Sequence, residues 1–245
     1  MLELLISYFV RVLPGIVLAV FLLYLLPKKQ TAFRMTIYIL LFILTRDAMT
    51  PMGLWRFGKE GFFWLRFIND PLMLIVLGLI SAGNVVVMNL VDKDLKNLLV
   101  WHKGSKIKSI LFGTIGALIV AMPVLVFYLS TPIEIRGGKP EIHIIIPILI
   151  VALLGNLYEE TLFRGYFQGY IEKWVTPIKA AVLSGLLFGF GHSFLSLTVT
   201  DIGWPLLLFA TYEGIIAGFV RMKYGLIGAT LTHGLAIFLL ASGLI

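Results

Sequence analysis

Three charged residues, Glu159, Glu160 and Arg164, interrupt one of the longest apolar stretches of this chain. An ionisable group at the centre of a bilayer costs roughly 2.5 to 3.5 kcal/mol, so three that faced lipid would cost on the order of 8 to 10 kcal/mol. We therefore predict that all three face protein or water. In a helix, Glu160 and Arg164 lie four residues apart on one face with the acid on the N-terminal side, which favours an ion pair.

Glu159 projects about 100° away from that pair, because each residue of an α-helix turns the chain by this angle. It lacks the arginine as a partner, so its carboxylate is free to exchange protons in a site of low dielectric constant. Glu159 is therefore a candidate general base. The alternative is a structural network in which the three charges lock two helices together.

Two histidines in later apolar stretches extend this set of polar groups. His192 ends the pattern Phe188-x-x-x-His192, which contains two glycines that allow another helix to come close, and His233 follows about forty residues later. Glu159 and His192 each lie 14 residues from the predicted ends of their helices on the same side. Both side chains would then lie about 21 Å from that side, at 1.5 Å per residue. A cavity shared by these groups is predicted.

The composition indicates a membrane protein, because 59% of the residues are hydrophobic and only 13% are charged, with a mean hydropathy of +0.98. A soluble domain carries about twice that share of charge. The sequence predicts an all-α polytopic membrane protein with about eight transmembrane helices, since each span needs about 20 apolar residues. The runs are approximately 4–26, 34–49, 71–90, 110–130, 142–174, 177–194, 205–220 and 226–245.

Two of these runs are irregular in length. The second is short and ends in charged residues, which is compatible with a tilted or re-entrant segment. The fifth is too long for one straight crossing, and a break at Pro147 would accommodate it. Polar groups are concentrated after residue 140, so we divide one integrated membrane domain into N-terminal helices, residues 1–140, and a catalytic core of four helices, residues 141–245.

The charge balance predicts the surroundings of the protein. The net charge of +7 suits anionic lipid headgroups, and no nucleic-acid-binding motif accompanies it. The chain has no cysteine, which excludes disulfides and thiolate metal ligands. We predict an integral protein of a prokaryotic plasma membrane.

The three motifs resemble those of the CPBP family, also called Abi, which includes type II CAAX prenyl endopeptidases and bacteriocin-processing proteins. The family's Glu-Glu-x-x-x-Arg motif corresponds to residues 159–164, its Phe-x-x-x-His motif to residues 188–192, and its last motif to residues 233–237. The order and spacing of the motifs also agree. The resemblance covers about residues 142 to 240.

This resemblance implies an intramembrane endopeptidase that acts on a membrane-associated peptide. Glu159 with His192 would activate the water, His233 would stabilise the oxyanion, and the other motif residues, Glu160, Arg164, Phe188 and Ile237, would support them. A base near water and a donor near the tetrahedral oxygen are the minimum parts for peptide hydrolysis. Prenyl-processing members have Asn at the position of Ile237, so a CAAX substrate is less favoured here.

Several alternatives stay open at this point. Glu159, His192 and His233 also form a two-histidine, one-carboxylate set that could hold zinc, although the resemblance favours a mechanism without a metal. Glu213 either packs between helices or lines the cavity. A non-catalytic bacteriocin immunity or scaffold protein could carry the same motifs, and a proton-coupled transporter would use buried carboxylates for proton relay.

Overall fold

A computed structural model describes residues 2–58, 64–200 and 202–244. The described residues are almost entirely helical, which confirms the all-α membrane fold. In chain order the α-helices are α1 Leu2–Leu25, α2 Thr31–Met49, α3 Pro71–Val91, α4 Lys93–Lys96, α5 Lys106–Tyr128, α6 Ile145–Glu160, α7 Gly169–Ile171, α8 Pro177–Phe190, α9 Trp204–Tyr224 and α10 Leu226–Ala241. Two 3-10 turns, Thr50–Met52 and Ile142–Ile144, and two π-helical segments, Thr161–Gln168 and Leu195–Val199, complete the helical part.

Each of the eight predicted apolar runs contains one long helix. Within the described ranges, six helices are long and apolar enough to cross a membrane. Of the other two, α10 is shorter, and α2 contains three charged residues, Arg34, Arg46 and Asp47. All three charges on α2 are paired with other charged groups, which reduces the cost of burying them in an apolar layer.

The fifth run does not break at Pro147, in contrast to the expectation from its length. Residues Ile142–Ile171 form one continuous 30-residue helix, and Pro147 lies in the first turn of α6. Proline is tolerated there, since the first backbone N–H groups of a helix need no acceptor within it. The irregularity lies instead at the π-helical segment Thr161–Gln168, directly after the two glutamates.

A short antiparallel hairpin, which the sequence analysis did not predict, follows the first two helices. Strand β1 Trp55–Phe57 pairs with β2 Leu65–Phe67, with Arg56 opposite Arg66. Alternating residues point to opposite faces of a strand, so Trp55, Phe57, Leu65 and Phe67 share one face. All four of these side chains line the cavity described below. The hairpin therefore forms part of its wall.

Small residues bring α8 and α9 into backbone contact. A Cβ atom on Gly214 would lie 2.9 Å from the carbonyl oxygen of Gly185, and one on Gly218 would lie 2.7 Å from that of Ala181. Such small-residue faces let membrane helices approach closely. The Gly214-x-x-x-Gly218 pattern thus packs helices within the fold.

We expect Gly185→Ala to destabilise the protein, because the new Cβ would lie 2.6 Å from the backbone nitrogen of Ile215. Overpacking of this kind costs about 1 to 3 kcal/mol. Gly83→Ala on α3 is the matched control, since no heavy atom lies within 4 Å of its Cβ position, and it should leave stability unchanged or slightly raised. The unfolding temperature of each purified variant in detergent tests this. Equal temperatures for the two variants would contradict the expectation.

A buried ion pair joins the N-terminal helices to the junction between α3 and α4. Arg34 is fully buried and Asp92 is 2% exposed. Arg34 donates through Nη2 to Oδ2 of Asp92 at 3.0 Å and through Nη1 to the carbonyl of Leu26 at 3.0 Å. The hydroxyl of Tyr38 donates to the same carboxylate. A substitution that removes either Arg34 or Asp92 leaves the other charged side chain buried without its ionic partner.

Stability at acid pH should depend on this pair. Burial alone raises the pKa of Asp92, but the hydrogen bonds from Arg34 and Tyr38 and the charge of Arg34 lower it below the usual 3.8. A lowered folded-state pKa stabilises the fold at any pH above the unfolded-state pKa, and this contribution is lost as the pH falls through the folded-state value. At pH 7 we therefore expect Asp92→Asn to cost about 3 to 5 kcal/mol, since it leaves Arg34 unpaired.

Unfolding temperatures measured from pH 7 down to pH 3 test this expectation. The gap between the wild type and Asp92→Asn should narrow once the pH falls below 3.8, the ordinary pKa of the side chain. Asp94→Asn, on the exposed side of α4, is the control and should match the wild type at neutral pH. A gap that stays constant down to pH 3 would refute the assignment to Asp92.

Candidate active site

One cavity of about 440 Å³ brings together charged and histidine side chains from five parts of the chain. They are Arg46, Glu159, His192, Glu213 and His233, from α2, α6, the turn after α8, α9 and α10, and Asn156 of α6 also lines the cavity. The predicted meeting of Glu159, His192 and His233 in one cavity is therefore confirmed. Their catalytic roles stay predictions.

Glu160 and Arg164 form the ion pair that their spacing predicted. Arg164 Nη1 donates to Glu160 Oε1 at 2.8 Å, and both side chains are fully buried. Glu159 points elsewhere and is partly buried. Its Oε2 atom is buried and has no hydrogen-bond partner among the described residues. Oε2 of Glu160 also lacks a partner, but its Oε1 is held by Arg164 and His233. The neighbouring glutamates thus differ as expected, since only Glu160 is anchored by the arginine.

The π-helical segment positions Arg164 over an aromatic ring. The guanidinium carbon of Arg164 lies 4.1 Å from the ring centroid of Phe188, a cation–π geometry. Ser184 of α8 donates to the carbonyl of Phe163 at 2.8 Å, which satisfies a carbonyl in the widened helix and ties α8 to it. Segments of π-helix occur frequently at functional sites because they redirect side chains within a helix.

Phe188 also contacts both histidines, which explains its place in the motif. Its ring centroid lies 4.5 Å from that of His192 and 5.4 Å from that of His233, edge-on to the latter. The Phe188 side chain is fully buried. The two imidazoles and the Arg164 guanidinium are therefore arranged around the Phe188 ring.

His192 lies in the turn that ends α8, and its two contacts define its tautomer. Nδ1 lies 2.8 Å from the carbonyl oxygen of Phe188 and Nε2 lies 3.1 Å from Nη1 of Arg46. A carbonyl oxygen only accepts and a guanidinium only donates. His192 is thus a neutral imidazole with its proton on Nδ1 and a lone pair on Nε2.

His233 is placed between two carboxylates. Its Nδ1 is 2.9 Å from Glu160 Oε1, and its Nε2 is 3.5 Å from Glu213 Oε2. The second distance is too long for a good hydrogen bond, so Nε2 stays available to another partner. Glu213 both lines the cavity and faces His233, which combines the two roles considered for it. Flanking carboxylates favour the charged imidazolium, which donates from both nitrogens.

Comparison with protein families gives a match over the region that carries these side chains. Residues 141–239 match the family described as Type II CAAX prenyl endopeptidase Rce1-like. This part of the chain is similar to that family, which supports the resemblance noted from the motifs. Searches for similar curated proteins and similar solved structures gave no match.

The Rce1-like segment contains the motif residues of α6, α8 and α10 and agrees with the extent expected from the sequence. It does not include Arg46, which lies on α2 and was not among the predicted site residues. Arg46 reaches the site from outside the segment: Nη2 donates to the carbonyl of Gly191 at 2.7 Å and lies 2.7 Å from Oδ1 of Asp47. The one available signal was an arginine and an aspartate at the end of an apolar run.

Most of the remaining cavity wall is apolar, and Thr45, Ser81 and Asn84 are its further polar residues. Ile237, one turn after His233 on α10, lines it and has no side-chain donor, as predicted from its residue type. Around it stand aromatic and aliphatic side chains from α1, α2, the hairpin, α3 and α9, including Tyr8, Phe42, Trp55, Phe57, Phe67, Leu77, Ile80 and Phe209. Such a wall accommodates an apolar ligand beside a few polar groups.

The donor set does not fit a zinc site in the arrangement observed. Zinc needs a free imidazole nitrogen from each histidine ligand. Nε2 of His192 accepts from the positively charged Arg46, and His233 faces a carboxylate at each nitrogen. Among the described residues, no group of three or more acidic or histidine side chains has a geometry suited to a metal ion.

Proposed function

We propose that this protein is an intramembrane endopeptidase that hydrolyses a peptide bond in a hydrophobic or membrane-associated peptide. The observation that carries the proposal is the uncommitted, buried Oε2 of Glu159 in a cavity that also contains His192 and His233. A carboxylate without a partner in such a site is poised to accept a proton. The match of residues 141–239 to the prenyl endopeptidase family supports the same reaction class.

In the proposed mechanism Glu159 removes a proton from a water molecule beside the substrate carbonyl. The hydroxide adds to the carbonyl carbon, and Nε2–H of His233 donates to the resulting oxyanion. Protonated Glu159 then transfers its proton to the departing amide nitrogen, and the C–N bond breaks. The products are a carboxylic acid and an amine, and the site returns to its initial charge.

Glu160 and Arg164 have a positioning role in this scheme. Glu160 accepts from Nδ1 of His233 at 2.9 Å, and Arg164 holds Glu160 at 2.8 Å. This series of hydrogen bonds fixes the orientation of the His233 imidazole, which faces the oxyanion. Nη1 of Arg46 lies 3.1 Å from Nε2 of His192. His192 can therefore contact the water directly only if Arg46 moves away from this nitrogen.

The substrate is proposed to present apolar side chains on either side of the scissile bond, because most of the cavity wall is apolar. Ile237 offers no hydrogen bond in this wall, which makes a CAAX substrate less favoured than another membrane peptide. Location in a prokaryotic plasma membrane stays a prediction from composition.

The test incubates the purified protein in detergent with membrane peptides extracted from cells, in water enriched in ¹⁸O. Hydrolysis should produce new peptide ends that carry one ¹⁸O atom in the new carboxyl group, as read by mass spectrometry. A protein-free incubation supplies the background. If no labelled end exceeds that background with any extract, the proposal fails and a binding function becomes the better interpretation.

A mechanism that uses only side chains is proposed over a zinc mechanism, because both nitrogens of His192 are already engaged, by Phe188 and Arg46. We expect cleavage to persist after prolonged dialysis against a chelator. Loss of cleavage that zinc restores would overturn this choice while leaving the endopeptidase proposal intact.

A further inference from the structure

Arg46 places a buried positive charge in the wall of the cavity. It is the only lysine or arginine among the described residues that line it. Its side chain is 9% exposed, and its guanidinium contacts three groups: the carboxylate of Asp47, the carbonyl of Gly191 and Nε2 of His192. A buried cation held on several sides at a proposed catalytic cavity requires an explanation beyond packing.

The contacts leave one donor of Arg46 uncommitted. A guanidinium has five N–H donors in a fixed plane. Nε donates to Asp47, Nη2 donates to Gly191 and also lies 2.7 Å from Oδ1 of Asp47, and one N–H of Nη1 faces Nε2 of His192. The second N–H of Nη1 is free, and the residue that carries it lines the cavity.

The proposed reaction needs such a donor. An oxyanion of a tetrahedral intermediate is usually stabilised by two or more donors, and His233 supplies one. Ile237, the cavity residue one turn further along α10, supplies none. A guanidinium also brings a positive charge that balances the charge that develops on the oxygen, beside the carboxylates of Glu159 and Glu213.

We infer that Arg46 is a further catalytic residue, which donates its free Nη1–H to the oxyanion while His192 and Asp47 hold its plane. This inference rests on the proposed endopeptidase function. It gives His192 a defined part in the site, because the neutral imidazole accepts from Nη1, the nitrogen that carries the proposed donor. It also joins α2 to the catalytic machinery, outside the residues that match the family.

Turnover of an internally quenched peptide, built on the bond cleaved most often by the wild type, tests the inference. Arg46→Gln should lower kcat by about 10²- to 10³-fold with a small change in KM, as for loss of one oxyanion donor. Arg46→Lys, which keeps the charge, should lose less. Arg56→Gln is the control, since Arg56 is exposed on the hairpin and does not line the cavity; it should match the wild type.

A rescue experiment separates donation from a structural role. Ile237→Asn places an amide donor on the cavity wall, so in the Arg46→Gln background it should restore kcat at least tenfold. Full activity or increased activity of Arg46→Gln would overturn the inference, and so would absence of rescue in a double variant whose unfolding temperature equals that of the wild type. If the wild type itself produces no labelled peptide ends above background, it is the proposed function that fails, and the inference about Arg46 then has no reaction to act in.

Discussion

Glu159→Gln is expected to reduce peptide cleavage by about 10³-fold or more, since general base catalysis contributes typically 10² to 10⁴. Glutamine keeps the size of the side chain but cannot accept the proton of the attacking water. The carboxylate lines the cavity and its Oε2 has no hydrogen-bond partner within the described part of the chain. Turnover of the quenched peptide by purified protein measures the loss.

The same substitution should not destabilise the fold. Burial of a charged oxygen without a partner is unfavourable, so a neutral amide at residue 159 should leave the unfolding temperature unchanged or raise it. Glu134→Gln, at an exposed site, is the control and should be fully active. If Glu159→Gln retained more than a tenth of the wild-type kcat, Glu159 would not be the base.

Arg164→Met is expected to lower stability by about 3 to 5 kcal/mol, because removing one member of a buried ion pair leaves the Glu160 carboxylate with only His233 as its partner. Glu160 and Arg164 are both fully buried and lie 2.8 Å apart. The substitution also removes the cation from the face of the Phe188 ring. For a protein of this size, such a loss lowers the unfolding temperature on the order of 10 °C.

Arg221→Met gives a matched comparison at a second ion pair. Its partner Glu172 is 26% exposed and can be solvated by water, so we expect a loss of only about 1 kcal/mol. The double variant Glu160→Gln/Arg164→Met should recover part of the loss caused by Arg164→Met alone, since no carboxylate is then stranded. Equal effects of Arg164→Met and Arg221→Met would contradict the importance assigned to burial.

The local relations along one helix could be predicted from the sequence. Helical periodicity alone indicated that Glu160 would pair with Arg164 and that Glu159 would not, and the structure has this arrangement. Apolar runs of sufficient length located all eight long helices. Helix geometry repeats every 3.6 residues, so these relations depend on few neighbouring residues.

One local prediction was wrong, and one local element was not predicted. Pro147 does not break its helix, because it lies in the first turn, and the widening occurs at residues 161–168 instead. The hairpin was missed because its strands have only three residues each. Strands this short carry too little alternation to be recognised.

The sequence by itself determined the membrane class, the helices, the family motifs and the identity of an acid without a nearby partner. Only the tertiary structure decided which distant groups meet: Arg46 with His192, 146 residues apart, and His233 with Glu160, 73 residues apart. Those contacts depend on how α2, α6, α8 and α10 pack, through small residues and buried ion pairs. Spacing along the chain cannot encode them, since it reports only neighbours on one element.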